Sequence, residues 1–342
     1  MPPKQLDIVT HSELQTVDTC KRQGFLQYQL GLRPTYASTP LRMGSAVHYG
    51  LHLKKAKVPL KCTILEQVLS EYDKSKPAGL SEEQEYKWEI ERTTIAAMLN
   101  CYDWRWAEQD ETIKYLTSEL SFQMPITNPA TSGKSKTFIL AGVIDAIVEL
   151  PDGRLAIMEH KTCGQDIDIE ADYWKQLRID SQISLYFMAA KYLGYNVETI
   201  IYDVLRKPTI KPYKATPDDK RKYKKDGQLY ANMRDRDETP DEFGKRFVED
   251  IGVRPDFYYM RREIPRITED MEEFKYELWQ KTQVLRECKK HNRWYRNTKA
   301  CIGMYKCGYF DLCTTGYDIT SRIAPQGFEF VDDVHPELEL RS

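Results

Sequence analysis

The sequence predicts an α/β fold in which a β-sheet is covered by helices and preceded by a helical region. Three observations carry this. Apolar and aromatic residues recur with helical spacing from His11 onward through the N-terminal part of the chain. From Leu116 the pattern changes to β-rich runs, LTSELSFQMPI, TFILAGVIDAIVEL and GRLAIMEHKT. A helical stretch and another strand-like run, VETIIYDVLRK, follow them.

The elements can be taken in order. HSELQTVDTCKRQGFLQYQLGL reads as one helix that breaks at Gly31 and Pro34. A second helix is expected from near Met43, and a third after Ser81, where Ser81 and Gln84 have capping-box spacing. Three sequential strands follow, with the polar loop NPATSGKSK between the first two. Helix returns from Asp172 to Leu193 and stops at Gly194. Residues 212–248 are intensely charged and poor in apolar residues, which predicts an inserted or mobile segment rather than core. The last long helix is expected over Thr268–Arg293, before a tail that carries cysteines. The chain therefore divides into a helical region, 1–115, a sheet and helix, 116–211, a charged insertion, 212–248, and a C-terminal helix with its tail, 249–342. All belong to one elaborated domain.

Composition limits the function. With 342 residues, 41% of them apolar, the chain can bury a substantial core. No apolar run approaches the roughly 20 residues that span a bilayer, and MPPKQLDIVT lacks the apolar stretch of a signal peptide. A cytoplasmic protein is expected, with no membrane partner. Its 50 basic residues are offset by 52 acidic ones, so any nucleic-acid binding must be local. Basic residues cluster at Arg206 and Lys207 and between Lys220 and Lys225, within the charged segment.

The two strands flanking Pro151, Asp152 and Gly153 carry the chemistry. A two-residue Asp-Gly turn would place Asp145 and Glu159 on opposite faces, because side chains alternate along a strand. A three-residue loop with Gly153 left-handed instead sets Asp145 across from Glu159 and Ile147 across from Ile157. The two carboxylates then stand roughly 5 Å apart at their β-carbons, close enough to share one hard cation. Lys161 projects from the same face, while Ile144, Ala146, Val148 and Met158 form an apolar opposite face. A buried ion pair is the bland explanation for three ionisable residues in such a hairpin. The functional one is phosphodiester hydrolysis, with the carboxylates holding Mg²⁺ or Mn²⁺ and Lys161 activating water and countering phosphate charge.

These residues resemble the PD-(D/E)XK nuclease superfamily, in the branch containing RecB and AddB nuclease domains, phage exonucleases and CRISPR-associated RecB-like nucleases. Gly142-Val-Ile-Asp145 is similar to the GxxD motif and Glu159-His-Lys161 to ExK, while the Pro-Asp pair of the family name is absent. Gly44-Ser-Ala-Val-His48 is similar to the branch's histidine motif, and Gln182-Ile-Ser-Leu-Tyr186 to QxxxY. The resemblance, over roughly residues 40–210, implies a restriction-endonuclease-like central mixed sheet flanked by helices. It implies a metal held by His48, Asp145, Glu159 and the backbone carbonyl of His160. Gln182 and Tyr186, one helical turn apart, would orient Lys161 or a DNA phosphate.

Eight cysteines in a chain without an export signal point away from disulfides. Cys20 and the trio Cys301, Cys307 and Cys313 resemble the iron-sulfur staple of the same branch, with five residues between successive members of the trio. Four thiolates suit a [4Fe-4S] cluster or zinc, and ordinary free thiols are the alternative. Cys62, Cys101, Cys163 and Cys288 have no comparable arrangement. The resemblance implies a DNA exonuclease of phage or bacterial recombination or DNA processing, with a phage or host recombination protein as a possible partner. A single-strand endonuclease and a catalytically idle nucleic-acid-binding subunit are the alternatives. No GxxxxGK[ST] sequence is present, which argues against a fused helicase.

Overall fold

The computed structural model describes residues 6–36, 38–56, 62–303, 306–318 and 323–339. Residues 1–5 of the N-terminal stretch read above lie outside them. The chain enters as a short strand, β1 (Asp7–Thr10), then helix α1 (His11–Thr19), whose first turn is capped by the Thr10 hydroxyl accepting from the Glu13 N–H. The single helix expected here breaks at Cys20, which is fully extended, before α2 (Lys21–Gly24) and a π turn over Phe25–Gln29. Gly24 permits the fold-back, since a β-carbon there would stand 2.4 Å from Val17 Cγ2.

Helix α3 (Thr39–Ala56) starts at Thr39 rather than near Met43. Helices α4 (Ile64–Lys74) and α5 (Glu82–Thr112) each open on a capping box, Thr63 with Glu66 and, as the spacing predicts, Ser81 with Gln84. They pack with α3 into a helical core around Val47, Leu51, Trp88, Ile95 and Met98.

Strands β3 (Lys114–Thr127), β4 (Lys134–Glu149), β5 (Leu155–Cys163), β6 (Thr199–Arg206) and β7 (Tyr259–Ile264) join β1 in one mixed sheet. Pairing is parallel for β1 with β4 and for β5 with β6, and antiparallel elsewhere. The sheet therefore draws β1 and β7 from outside the expected 116–211 boundaries. Strand β6 is buried along its whole length, as a central strand covered on both faces should be.

The helix expected over Asp172–Leu193 is two helices, α6 (Asp172–Leu177) and α7 (Ser181–Tyr192). Asp180 separates them, its carboxylate capping α7 through the N–H of Gln182 at 2.7 Å. Gly194, at φ +92, ends α7 where the sequence places the stop.

The charged segment needs a larger correction. Its end is helix α8 (Pro240–Val253), with Phe243, Phe247 and Ile251 fully buried in the helical core. Asp241, Glu242, Lys245, Arg246, Glu249 and Asp250 surround that one-sided stripe and hide it from a reading of average composition. The preceding loop is tied down by Glu238, 3% exposed, which accepts from Arg246 and from the Tyr213 N–H.

A short helix, α9 (Pro255–Tyr258), leads into β7, and α10 (Thr268–His291) ends on Asn292 in the left-handed region, φ +48. In the tail, α11 (Phe310–Thr314) precedes β8 (Phe328–Phe330), which pairs antiparallel with β2 (Leu32–Pro34). Among the described residues no helix is long and apolar enough to cross a membrane.

One property of the sheet positions the site. Strand β3 pairs with β4 from Lys114↔Glu149 to Thr127↔Lys134, so β1 and β5 must share the other edge of β4. There β1 pairs with residues 138–141 and β5 with residues 146–149. The interval between them is Gly142-Val-Ile-Asp145.

Candidate active site

The hairpin adopts the second of the two registers. The Leu150 N–H donates to the Arg154 carbonyl and the Gly153 N–H to the Leu150 carbonyl, both at 2.9 Å, and Gly153 has φ +85. Ile147 therefore faces Ile157 and Ala146 faces Met158, and the next residues along the two strands are Asp145 and Glu159. Regular pairing stops at Ala146, and the Asp145 carboxylate accepts the His160 N–H at 3.0 Å. Ala146, Val148 and Met158 share an apolar cluster as the sequence predicts. Ile144, lying beyond the β4–β5 pairing, packs into the main core instead.

Glu159 is 1% exposed, with one oxygen 2.6 Å from Lys161 Nζ and the other, Oε2, buried without a hydrogen-bond partner. Burial and then the Asp145 charge push its carboxyl up to about 8, against the pull of Lys161. Asp145 moves the other way. Burial opposes its ionisation, but the charges of His48, His160 and Lys161 and the His160 N–H outweigh this and lower its pKa. Lys161 also donates to Gln182 Oε1 at 3.1 Å, and Gln182 Nε2 to the Tyr186 hydroxyl at 2.8 Å. The i, i+4 pair on α7 is thus the bracket that holds the lysine, and buried Tyr186 anchors it.

Two glycines set the distances. A β-carbon on Gly142 would meet Phe122 Cζ at 2.6 Å, because the ring lies over this point of β4 from the neighbouring strand. One on Gly44 would stand 3.1 Å from Thr162 Oγ1, so the glycine lets α3 approach β5 closely. That approach brings His48 Nδ1 to 3.9 Å from Asp145 Oδ2.

His160 points its imidazole to the other face of β5. Its Nδ1 lies 3.0 Å from Asp203 Oδ2, and this carboxylate, wholly buried, also accepts from the Tyr102 hydroxyl at 2.5 Å and faces Arg261 Nη2 at 3.1 Å. Arg261 continues to Asp110 at 2.6 Å, and Lys55 closes the chain on Asp110 at 2.5 Å. Burial would raise the Asp203 pKa, but Arg261 and His160 hold it well below the usual carboxylate range. Asp203, Tyr102 and Arg261 are not among the residues the motifs pick out. The available signal was Asp203 itself, a lone acid in the otherwise apolar TIIYDVL.

Residues 8–313 match the family model of the PD-(D/E)XK nuclease superfamily. The chain belongs to this superfamily. No curated protein matches it by sequence. Among solved structures it is similar to a protein of Eubacterium rectale provisionally described as an exonuclease, at 12% identity and TM-score 0.46, with 89% of this chain and 92% of the other covered. SSO0001 is similar at 11% identity and TM-score 0.27, covering 70% and 86%. Both scores lie below 0.5, and the assignment rests on the family match.

PD-(D/E)XK nucleases generally use Mg²⁺ or Mn²⁺, and the donors here suit such a cation. Asp145 lies near enough for its charge to raise the Glu159 carboxyl, and the buried Glu159 Oε2, without a hydrogen-bond partner, is an acceptor open to a cation. Among the described residues no three His, Cys, Asp or Glu side chains already meet closely enough to hold an ion, since Glu159 leans on Lys161.

The cysteine positions converge in the same sense. Cys20, Cys301, Cys307 and Cys313 line one small cavity, roofed by Arg296, Asn297, Tyr309 and Phe310. The Asn297 N–H points at Cys20 Sγ at 3.4 Å, while the Cys301 and Cys307 thiols contact the Asn297 carbonyl and the Gln23 side chain. None of the four forms a disulfide, and Cys62, Cys101, Cys163 and Cys288 lie elsewhere.

Proposed function

We propose that this nuclease is a divalent-metal-dependent deoxyribonuclease acting as an exonuclease on DNA. The observation that carries the hydrolytic reading is the cluster of Asp145, Glu159 and Lys161 just past the β4–β5 pairing, with the lysine 2.6 Å from a glutamate whose second oxygen has no partner. Asp145, Glu159, the His160 carbonyl and His48 would hold Mg²⁺ or Mn²⁺, and the ion supplies charge neutralisation at the phosphate and a more acidic water.

The chain's own groups do the rest. Lys161, steadied by Gln182 and Tyr186, presents an ammonium to the scissile phosphate and to the attacking water. The His160 N–H keeps one Asp145 oxygen oriented, which fixes the carboxylate without using its remaining lone pairs. Burial excludes bulk water from Glu159, while Asp145 stays partly open to solvent.

Exonuclease action and a place in recombination or DNA processing follow from the resemblance to the RecB and AddB branch. The four cysteines around one cavity support the staple reading, with a [4Fe-4S] cluster tying α2 to the tail and zinc as the other metal that suits four thiolates. The test is nucleotide release from linear DNA with Mg²⁺ or Mn²⁺, compared with closed circles and with Lys161→Ala and Asp145→Ala. Undiminished cleavage in those variants would sink the site, and cutting of closed circles would exclude a strict exonuclease. Iron and labile sulfide in the purified protein decide the staple, and zinc alone would replace it.

A further inference from the structure

The segment between β6 and α8 contains a hairpin that the hydrolytic site does not use. Its foot is closed by the Thr216 N–H donating to the Arg234 carbonyl at 2.8 Å and the Arg234 N–H donating to Thr216 Oγ1 at 3.1 Å. Tyr223 and Leu229 form an antiparallel bridge within it. At the tip the Lys224 N–H donates to the Gln228 carbonyl at 2.7 Å and the Gly227 N–H to the Lys224 carbonyl at 3.0 Å, with Gly227 at φ +80. The same three-residue loop with a left-handed glycine turns β4 into β5, so the tip is a regular turn. It leaves Lys224 and Lys225 exposed.

Its arginines are engaged by the fold and its lysines are not. Arg221 holds Asp218 at 2.6 Å and donates to the Thr216 and Asp235 carbonyls, Arg234 and Arg236 take Glu242, and Arg246 takes Glu238. Lys220, Lys222, Lys224 and Lys225 are exposed and, among the described residues, have no carboxylate within ion-pair distance. Of the neighbouring acids, Asp218 belongs to Arg221, Asp226 Oδ1 accepts the Gln228 N–H inside the turn, and Asp219 and Asp235 lie toward the foot. The tyrosines divide in the same way. Tyr213 lies under Arg246 at 4.1 Å and Arg234 at 5.4 Å, whereas Tyr223 and Tyr230, 57% and 48% exposed, have no ring or cation over them among the described residues. A lysine run alone is usually a solvated face. Two bare phenol rings among four uncompensated ammonium groups suit an unpaired nucleotide strand, which offers phosphates to the lysines and base faces to the rings. A duplex keeps those base faces stacked inside.

The segment also leaves the sheet beside the site. The Lys207 N–H donates to the carbonyl of Cys163, two residues past Lys161, at 2.8 Å, and Lys207 Nζ donates to the Pro40 carbonyl of α3 at 2.9 Å. From Lys207 to Thr216 is nine residues, a span of at most about 30 Å. We propose that the hairpin 216–234 is a clamp for single-stranded DNA, in which Lys222, Lys224 and Lys225 hold phosphates and Tyr223 and Tyr230 stack on unpaired bases. The clamp rests on the deoxyribonuclease reading and deepens it, since it names the state of the strand the enzyme takes: a single strand or a frayed end in preference to closed duplex.

The experiment is fluorescence anisotropy of the full chain with a labelled oligothymidylate and with a duplex of the same length, in EDTA so that nothing is cleaved, over a range of salt. The wild-type chain should bind the single strand about tenfold or more tightly than the duplex. Replacing Lys222, Lys224 and Lys225 together by Ala should weaken that binding about tenfold or more and lower the slope of log affinity against log salt by about 2. Tyr223→Leu combined with Tyr230→Leu should weaken it about 10–100-fold without changing the slope, and Tyr→Phe at both positions should restore it, because the ring and not the hydroxyl stacks. Equal or tighter binding of the duplex by the wild type overturns the clamp, and this measurement needs no variant to fold. Unchanged binding by the lysine variant overturns it as well, and a tighter hold on oligouridylate would make RNA the occupant and overturn the DNA clamp. Metal-dependent cleavage of DNA with no dependence on the hairpin leaves the nuclease reading standing without the clamp. Hairpin-dependent binding of the single strand with no cleavage under Mg²⁺ or Mn²⁺ does the reverse.

Discussion

The Asp145 carboxylate accepts the backbone N–H of His160 at 3.0 Å, so the aspartate of one motif is tethered to the middle residue of the other. Asp145→Asn keeps the size of the side chain but removes its charge, one proposed metal ligand and the charge-assisted character of that bond. Cleavage should fall about 10³-fold or more, read as initial rates of nucleotide release. A loss below tenfold would mean that the charge of Asp145 is not used.

Gln182 touches Lys161 and Tyr186. Gln182→Ala should free the ammonium, lowering kcat by about 10–100-fold with little change in KM, because the loss falls on charge stabilisation in the transition state. Steady-state kinetics on linear DNA separates the two. A change in KM alone would assign Gln182 to DNA binding.

Glu159 has its carboxyl pushed from 4.5 up to about 8 by burial and by Asp145. A carboxyl raised in this way favours the fold fully below its unfolded value, and that contribution is lost as pH rises through about 8. Metal binding needs the ionised form, so Mg²⁺ affinity should increase between about pH 6 and 8, with proton release near pH 7. Calorimetry in buffers of different ionisation enthalpy measures the proton directly. An affinity flat across this range would show that Glu159 is already ionised.

Glu13, 1% exposed, accepts from Gln29, and burial lifts its carboxyl from 4.5 to about 7 against the pull of Lys289 and His335. The sign is the same. Its contribution is intact below 4.5 and is lost as pH rises through about 7. Glu13→Gln should therefore stabilise the protein by on the order of 2–3 kcal/mol at pH 8 and by little at pH 4.5. Thermal melts at the two pH values test this, and equal effects at both would remove ionisation as the cause.

Gly142→Ala would set a methyl group against the buried Phe122 ring. Overpacking of this kind costs about 1–3 kcal/mol. A melting temperature unchanged from wild type would show that the ring can move aside.

The hairpin was legible because one glycine decides it. Gly153 allows the three-residue loop, and every later residue of β5 follows from that register. The i, i+4 pair Gln182 and Tyr186 was legible for the same local reason. The break at Cys20 and the gap between α6 and α7 were not, because each depends on what the helix packs against after the turn. Strands β1 and β7 are short, and their pairing partners are distant in sequence.

The shared edge of β4 has a consequence for how the protein can be handled. Since β1 and β5 divide that edge on either side of Gly142–Asp145, the strand Asp7–Thr10 forms one jamb of the doorway in which Asp145 stands. A cut, a fusion or a purification tag that pulled Asp7–Thr10 from its place would leave every motif residue intact and still unframe the aspartate.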